Sequence, residues 1–323
     1  MVRKAGILML GVALVALSGC SSSKAGDPTG TSGLTADQAN VQLTIAAAPE
    51  LANDGLFDAA TLAGFSGRPN VGNLSGIGDG APETNPSVSS TEHHWWRSIT
   101  GVTRSFDYEF TATDTAGRPT RAHVTVHKHF TGVFHISWGE VVPSSAGGDS
   151  LVMHQVDKPL KDHWVRQLWF ARMPTDSLHE HPWRLVAASG ANVTSETGDA
   201  GVQPQIQSVR LQAGTADTTF SDPAAAIVWR KLWRVPPGVP VTVTVTTNAP
   251  DDIVVLMHHD GRALLTSNND NTYTATFDGP VVGGLKHLGL NALSHGTLSD
   301  VAGGYHSHAW LFPFLNRGEA YRD

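Results

Sequence analysis

A mostly β chain in two units is the fold this sequence predicts: an N-terminal α+β domain built on an antiparallel meander, then a β-sandwich. Three observations predict it. From Trp96 onward the hydropathy period is two, with Phe106, Tyr108, Phe110 and Ala112 alternating with Asp107, Glu109 and Thr111, as on a half-buried strand. From Ile206 onward seven short apolar segments recur between turn signals, the spacing of a sandwich. Helical periodicity is confined to the residues ahead of the meander.

Residues 1–19 read as a cleavable secretory signal and residues 20–34 as a polar tether. Thr35-Ala36-Asp37-Gln38 has capping-box form, and Val41, Ile45 and Ala48 follow at helical spacing, so a helix is expected to end near Pro49. A second short helix is expected over 49–63. Residues 66–91 read as a long surface loop. Their Gly76-Ile77-Gly78-Asp79-Gly80 has no third glycine at Gly-x-Gly-x-x-Gly spacing and no lysine in the position that phosphate loops use. Strands are expected at 106–112, 121–129, 133–138, 163–172 and 183–189, completing a domain over 35–190. Helices ahead of a meander give an element order that resembles the curved-sheet NTF2-like and cystatin-like folds, which implies a similarly curved sheet here.

A Gly/Ser/Thr/Asn-rich stretch over 191–204 reads as a linker. Strands then follow at Ile206–Leu211, Val239–Thr246, Ile253–His258, Ala263–Ser267, Tyr273–Phe277, Leu285–Ala292 and Trp310–Phe314. Between them stand Pro236-Pro237-Gly238, Asp260-Gly261, Asn268-Asn269-Asp270-Asn271 and Asp278-Gly279-Pro280, all turn formers. Asp222-Pro223 starts either a helix or a lead into a strand through Val228. In strand spacing, residues 205–318 resemble the immunoglobulin-like modules of bacterial surface proteins.

Arg3 and Lys4 precede an apolar run from Ala5 to Leu17, too short to span a bilayer. It ends in Leu17-Ser18-Gly19-Cys20, which resembles the lipobox of bacterial lipoproteins. The resemblance implies acylation of Cys20, palmitate included, and residence in the cell envelope. Ser21 after the cysteine implies the outer membrane in a Gram-negative cell. Cys20 is the only cysteine, so no intrachain disulfide forms and stability rests on packing. The formal charge of −7 becomes −9 (20 basic against 29 acidic) without Arg3 and Lys4. That balance argues against nucleic acid as a partner; the membrane is reached through the lipid.

The 16 histidines include the pairs His127/His129, His179/His181 and His306/His308, besides His93-His94 and His258-His259. On a strand, residues two apart share a face. A loop at Phe130-Thr131-Gly132 is expected to pair His129 with Val133 and His127 with His135, since this register buries Val124, Val126, Phe134, Ile136 and Trp138 together. It gathers His123, His127, His129 and His135 on the other face. Such a face suits Zn²⁺ or Cu²⁺, or is simply a solvated sheet surface. Trp95 and Trp96 must point to opposite sides if extended, so with His93, His94 and Arg97 they form a candidate recognition patch, although aromatic residues are by default core.

No Gly-x-Ser-x-Gly elbow, His-Glu-x-x-His motif or calcium-loop spacing is present, and no catalytic residue or resident cofactor is expected. The expected function is non-enzymatic binding or scaffolding in the envelope, with an envelope protein or glycan as partner. The alternatives are a metal-binding protein or metal-dependent hydrolase built on the histidines, and carbohydrate binding through exposed tryptophans.

Overall fold

The computed structural model describes residues 31–47, 93–144, 148–174, 182–196, 203–258 and 261–316. Cys20, the expected signal, most of the tether, the expected second helix, the 66–91 loop, His179, His181 and His259 lie outside the described residues. The fold is mostly β, as the alternation predicts. Helix α1 (Thr31–Ala47) begins four residues before Thr35 and so takes in the last part of the expected tether. Four long strands follow: β1 (His93–Thr113), β2 (Pro119–Ser144), β3 (Gly148–Arg172) and β4 (Trp183–Ser195).

The expected turn at Phe130-Thr131-Gly132 is not formed. Residues 121–138 belong to the single strand β2, paired along its length with β1 and β3. The glycine has another reason to be there. Gly132 lies opposite Ile99 at a bulge in β1, and a Cβ on it would stand 2.1 Å from the Ser98 carbonyl oxygen. It permits a close strand approach rather than a left-handed turn. The turn between β1 and β2 does form where Thr115-Ala116-Gly117-Arg118-Pro119 predicts it, at 114–118, and Asp114 Oδ1 accepts there from the amides of Ala116 and Arg118.

The remaining strands are β5 (Ile206–Ala213), β6 (Ala216–Phe220), β7 (Ile227–Val228), β8 (Arg234–Val235), β9 (Pro240–Thr247), β10 (Ile253–His258), β11 (Gly261–Leu264), β12 (Thr266–Ser267), β13 (Thr272–Asp278), β14 (Gly284–Leu293) and β15 (Ser307–Asn316). A one-turn helix α2 (His295–Ser299) joins the last two. Asp222-Pro223 leads into β7, not into a helix.

One sheet has the order β1-β2-β3-β4-β15-β14-β10-β11, with β7 and β8 as side branches; a second has the order β12-β13-β9-β5-β6. Residues 191–195, expected to be linker, are the end of β4, and they pair with β15. The meander and the C-terminal strands therefore share a sheet. Two cores flank it. Val241, Val243, Val245, Leu290, Trp310 and Phe312 pack between the two sheets in a sandwich-like layer. Val124, Phe134, Trp164, Leu168, Ala309 and Leu311 pack on the other face with Val41 and Ile45 of α1. Phe106 at one edge of the large sheet and Leu264 at the other join this second core, so the sheet curls around it. β15 is buried on both faces, which is why it reads as a nearly continuous apolar run instead of alternating.

Candidate functional site: the outer face of the meander

Along β2, Ala122, Val124, Val126, Phe130, Phe134 and Ile136 are buried, so the odd-numbered side chains face outward. His123, His127, His129 and His135 do share that outer face, as parity requires. The straight strand spreads them over its length, and each is held by its own partners from neighbouring strands.

Two cross-strand triples stand out. Trp96 on β1, His135 on β2 and Asp157 on β3 lie in one row. The indole stacks on the imidazole at 4.8 Å between centroids. His135 Nδ1 donates to Asp157 Oδ1 at 2.7 Å, which leaves Nε2 to accept from the Ser98 hydroxyl at 2.9 Å. The Gln155 amide and His135 together hold the Asp157 carboxyl below the usual carboxylate range. The second row runs Glu109, His123, Trp169 across the same three strands, with the aromatic and acidic ends exchanged. Here the rings stack at 5.0 Å, and His123 Nε2 donates to Gln167 Oε1 at 3.0 Å. Both indoles are half-buried.

Between the triples lies a histidine relay. Asp107 can only accept, so His127 Nε2 donates to it at 3.2 Å; His127 Nδ1 then accepts from His163 Nε2 at 3.0 Å. The two rings are inclined by 17° with centroids 5.2 Å apart, and with nitrogens in contact they meet edge to edge, nearly coplanar. His129 instead stacks face to face on His163, at 4.3 Å and 3°, and its Nδ1 donates to Glu196 at 3.2 Å. Burial, together with the neighbouring His129 and His127, makes His163 a weaker base than usual. Carboxylates orient the rings as they do in metal sites. Among the described residues, however, no group of three or more His, Cys, Asp or Glu is placed to hold one ion.

The expected patch at 93–97 divides. Trp95 is buried in the meander core while Trp96 faces out, as neighbours on a strand must. Arg97 turns inward with Trp95 and leaves the patch. It lies 3.4 Å from Asp162, and donates to the Tyr305 hydroxyl and to Ser307. Tyr305 in turn donates to Asp162 at 3.2 Å, and Ser307 to Asn291 at 2.7 Å. Burial pushes both Asp162 and Tyr305 upward in pKa, with Arg97 opposing. This cluster joins β1, β3, β14 and β15 from the inside and is a structural tie. The described His93 and His94 contribute backbone pairing to Trp138 and Ser137.

His308 is structural as well. Its Nδ1 accepts from the Ile206 amide at 2.8 Å and its Nε2 donates to Asn192 at 2.8 Å. Burial pushes it down to about 4. The Asn268–Asn271 segment is the turn its composition predicts, with Asn269 and Asn271 both at φ 64°.

Sequence reasoning missed His163, Trp169, Asp157 and Glu196 as parts of this face. Burial of Asp162, Trp164, Arg166 and Leu168 sets the outward parity on β3, but with two charges among those four the sequence carried no clear signal of it. Which β2 residue each would meet required the register. No protein-family model, curated protein or solved structure matches this chain.

Proposed function

We propose that the protein is an exported, lipid-anchored component of the cell envelope with a non-enzymatic binding role, and that the outer face of β1–β3 contacts a glycan. The observation that carries the glycan reading is the pair of Trp–His–carboxylate triples. Each presents a half-buried indole braced by a stacked imidazole, with a carboxylate and a hydroxyl or amide beside it. A flat aromatic surface suits the apolar face of a sugar ring, and the flanking polar groups suit its hydroxyls. Support for anchoring comes from Leu17-Ser18-Gly19-Cys20. Among the described residues no helix is long and apolar enough to cross a membrane.

The test is a tryptophan-fluorescence titration of the chain from residue 21 with envelope oligosaccharides. Trp96→Ala and Trp169→Ala variants are run alongside. Saturable quenching that weakens by tenfold or more (about 1.4 kcal/mol) in either variant is expected. A glycan panel that leaves the emission unchanged would sink the glycan reading.

A further inference from the structure

We propose that the end of the large sheet carrying α1 faces an anionic bilayer, and that Val281 and Val282 are its contacting side chains. This rests on the lipid-anchored reading above.

The topology brings three features to that end. The first is where the anchor enters. Asp37 of α1 accepts from Arg172 and from Trp183 Nε1, which pins the helix at the junction of β3 and β4, where Arg172 pairs with Trp183. Arg172 also donates to the Pro119 carbonyl at the start of β2. Thr31 lies six residues before Asp37, about 9 Å along the helix. Cys20 lies eleven residues before Thr31, at most about 40 Å of chain.

The second is an exposed apolar tip. β15 runs antiparallel to β4, so its C-terminal end points toward Trp183; Gly284, opening β14, pairs there with Asn316. The loop just before Gly284 exposes Val281 at 79% and Val282 at 68%, the most exposed large apolar side chains among the described residues. The fully buried Asn316 amide donates to the carbonyls of Pro280 and Val282. The backbone beneath the two valines is thus held by the core.

The third is charge. β8 pairs with the end of β15, opposite Leu315 and Asn316, and exposes Arg234; Arg230 and Lys231 are exposed just before it. Asp278 is the exposed acid on the neighbouring β13. Three cations beside an apolar tip, in a chain of net charge −7, suit anionic headgroups over an acyl interior.

Val301, between α2 and β15, is exposed at 62%; the other apolar rival is Met153, exposed at 62% near the start of β3. It lies nineteen residues along β3 from Arg172, about 60 Å of strand, more than the chain from Cys20 to Asp37 covers. The outer-face triple of Trp96, His135 and Asp157 is displaced in the same direction, away from the bilayer.

The experiment places a photo-crosslinking amino acid at position 282, or at 153, in the full chain. Each variant is produced in a bacterium that processes lipoproteins and is reconstituted in phosphatidylethanolamine/phosphatidylglycerol vesicles. Mass spectrometry reads the N-terminal peptide and the phospholipid adducts together. An acylated Cys20 with roughly tenfold more adduct from 282 than from 153 is expected. Acylated protein with equal adducts, or with more from 153, overturns the orientation alone. An unmodified Cys20 overturns the anchored reading and the orientation with it.

Discussion

The two cores of this protein solve burial differently. Between the sheets, Val241, Val243, Val245, Leu290, Phe312 and their neighbours form a layer of hydrocarbon and aromatic groups. Under the meander, the buried set includes Lys128, Asp162 and Arg166, each at most 1% exposed, among Val124, Phe134 and Trp164. Lys128 Nζ sits 4.5 Å above the Trp164 ring, and Arg166 lies 5.4 Å from its centroid. Apolar burial stabilises without direction, whereas buried charges gain little net energy but tolerate few arrangements. The meander core is the one that carries such charges, and Arg97, Asp162 and Tyr305 tie β1 and β3 together within it. We attribute to its charge cluster the fixed docking of β1 and β3 on β15.

The comparison breaks if the two cores respond alike to substitution. Phe312→Ala should cost the most, about 4 kcal/mol in urea unfolding, because a large buried ring leaves a cavity. Asp162→Ala should cost about 3 kcal/mol by removing the carboxylate that faces the largely buried Arg97 guanidinium. A double-mutant cycle with Arg97→Met should then show strong coupling, whereas Phe312→Ala and Asp162→Ala should be nearly additive. Additivity of the Arg97 and Asp162 changes would remove the ionic tie.

Acid sharpens the picture further. His308 titrates near 4 in the folded chain against an ordinary value of 6.5. The unfolded chain therefore takes up its proton first. Stability from this group is complete above pH 6.5 and declines as pH falls toward 4, by roughly 3 kcal/mol. Asp252, pushed up to about 6 chiefly by burial, has the opposite sign, its contribution present at low pH and lost as pH rises through 6. His308→Asn should flatten the acid limb of a stability–pH profile, and Asp252→Asn should steepen it. A limb unchanged by either substitution would contradict the burial assigned to both groups.

Gly132→Ala should cost about 2 kcal/mol, since its methyl meets the Ser98 carbonyl and β1 must shift. Circular dichroism with thermal melting checks this; no loss of stability would show that β1 and β2 are less closely apposed. The smallest effect belongs to the outer face. Trp96→Ala should change stability by less than about 1 kcal/mol, because its ring is half-buried and its partners remain solvated. A large loss would recast that tryptophan as structural rather than recognitive.

Much of the site was legible as parity and little of it as contact. Odd positions on β2 had to share a face once Val124, Val126 and Phe134 were inside, so the four histidines were placed on one side. Gly132 misled the pairing. A glycine for a left-handed turn and a glycine for close strand approach are the same letter, and only the neighbouring strand distinguishes them. Arg97 misled the patch because a charge is expected outside, and its inward partner Asp162 lies 65 positions along the chain.

The sequence by itself determined the mostly β composition, the alternation that sorts inside from outside, the turn at 268–271 and the opposite facing of Trp95 and Trp96. These are local consequences of strand geometry and turn chemistry. Tertiary structure decided that residues 191–195 join β15, that His127 meets His163, that Asp162 lies against Arg97, and that Val281 and Val282 share the end of the sheet held by α1. Each depends on strand order and register, which are set by the joint burial of residues far apart in the chain.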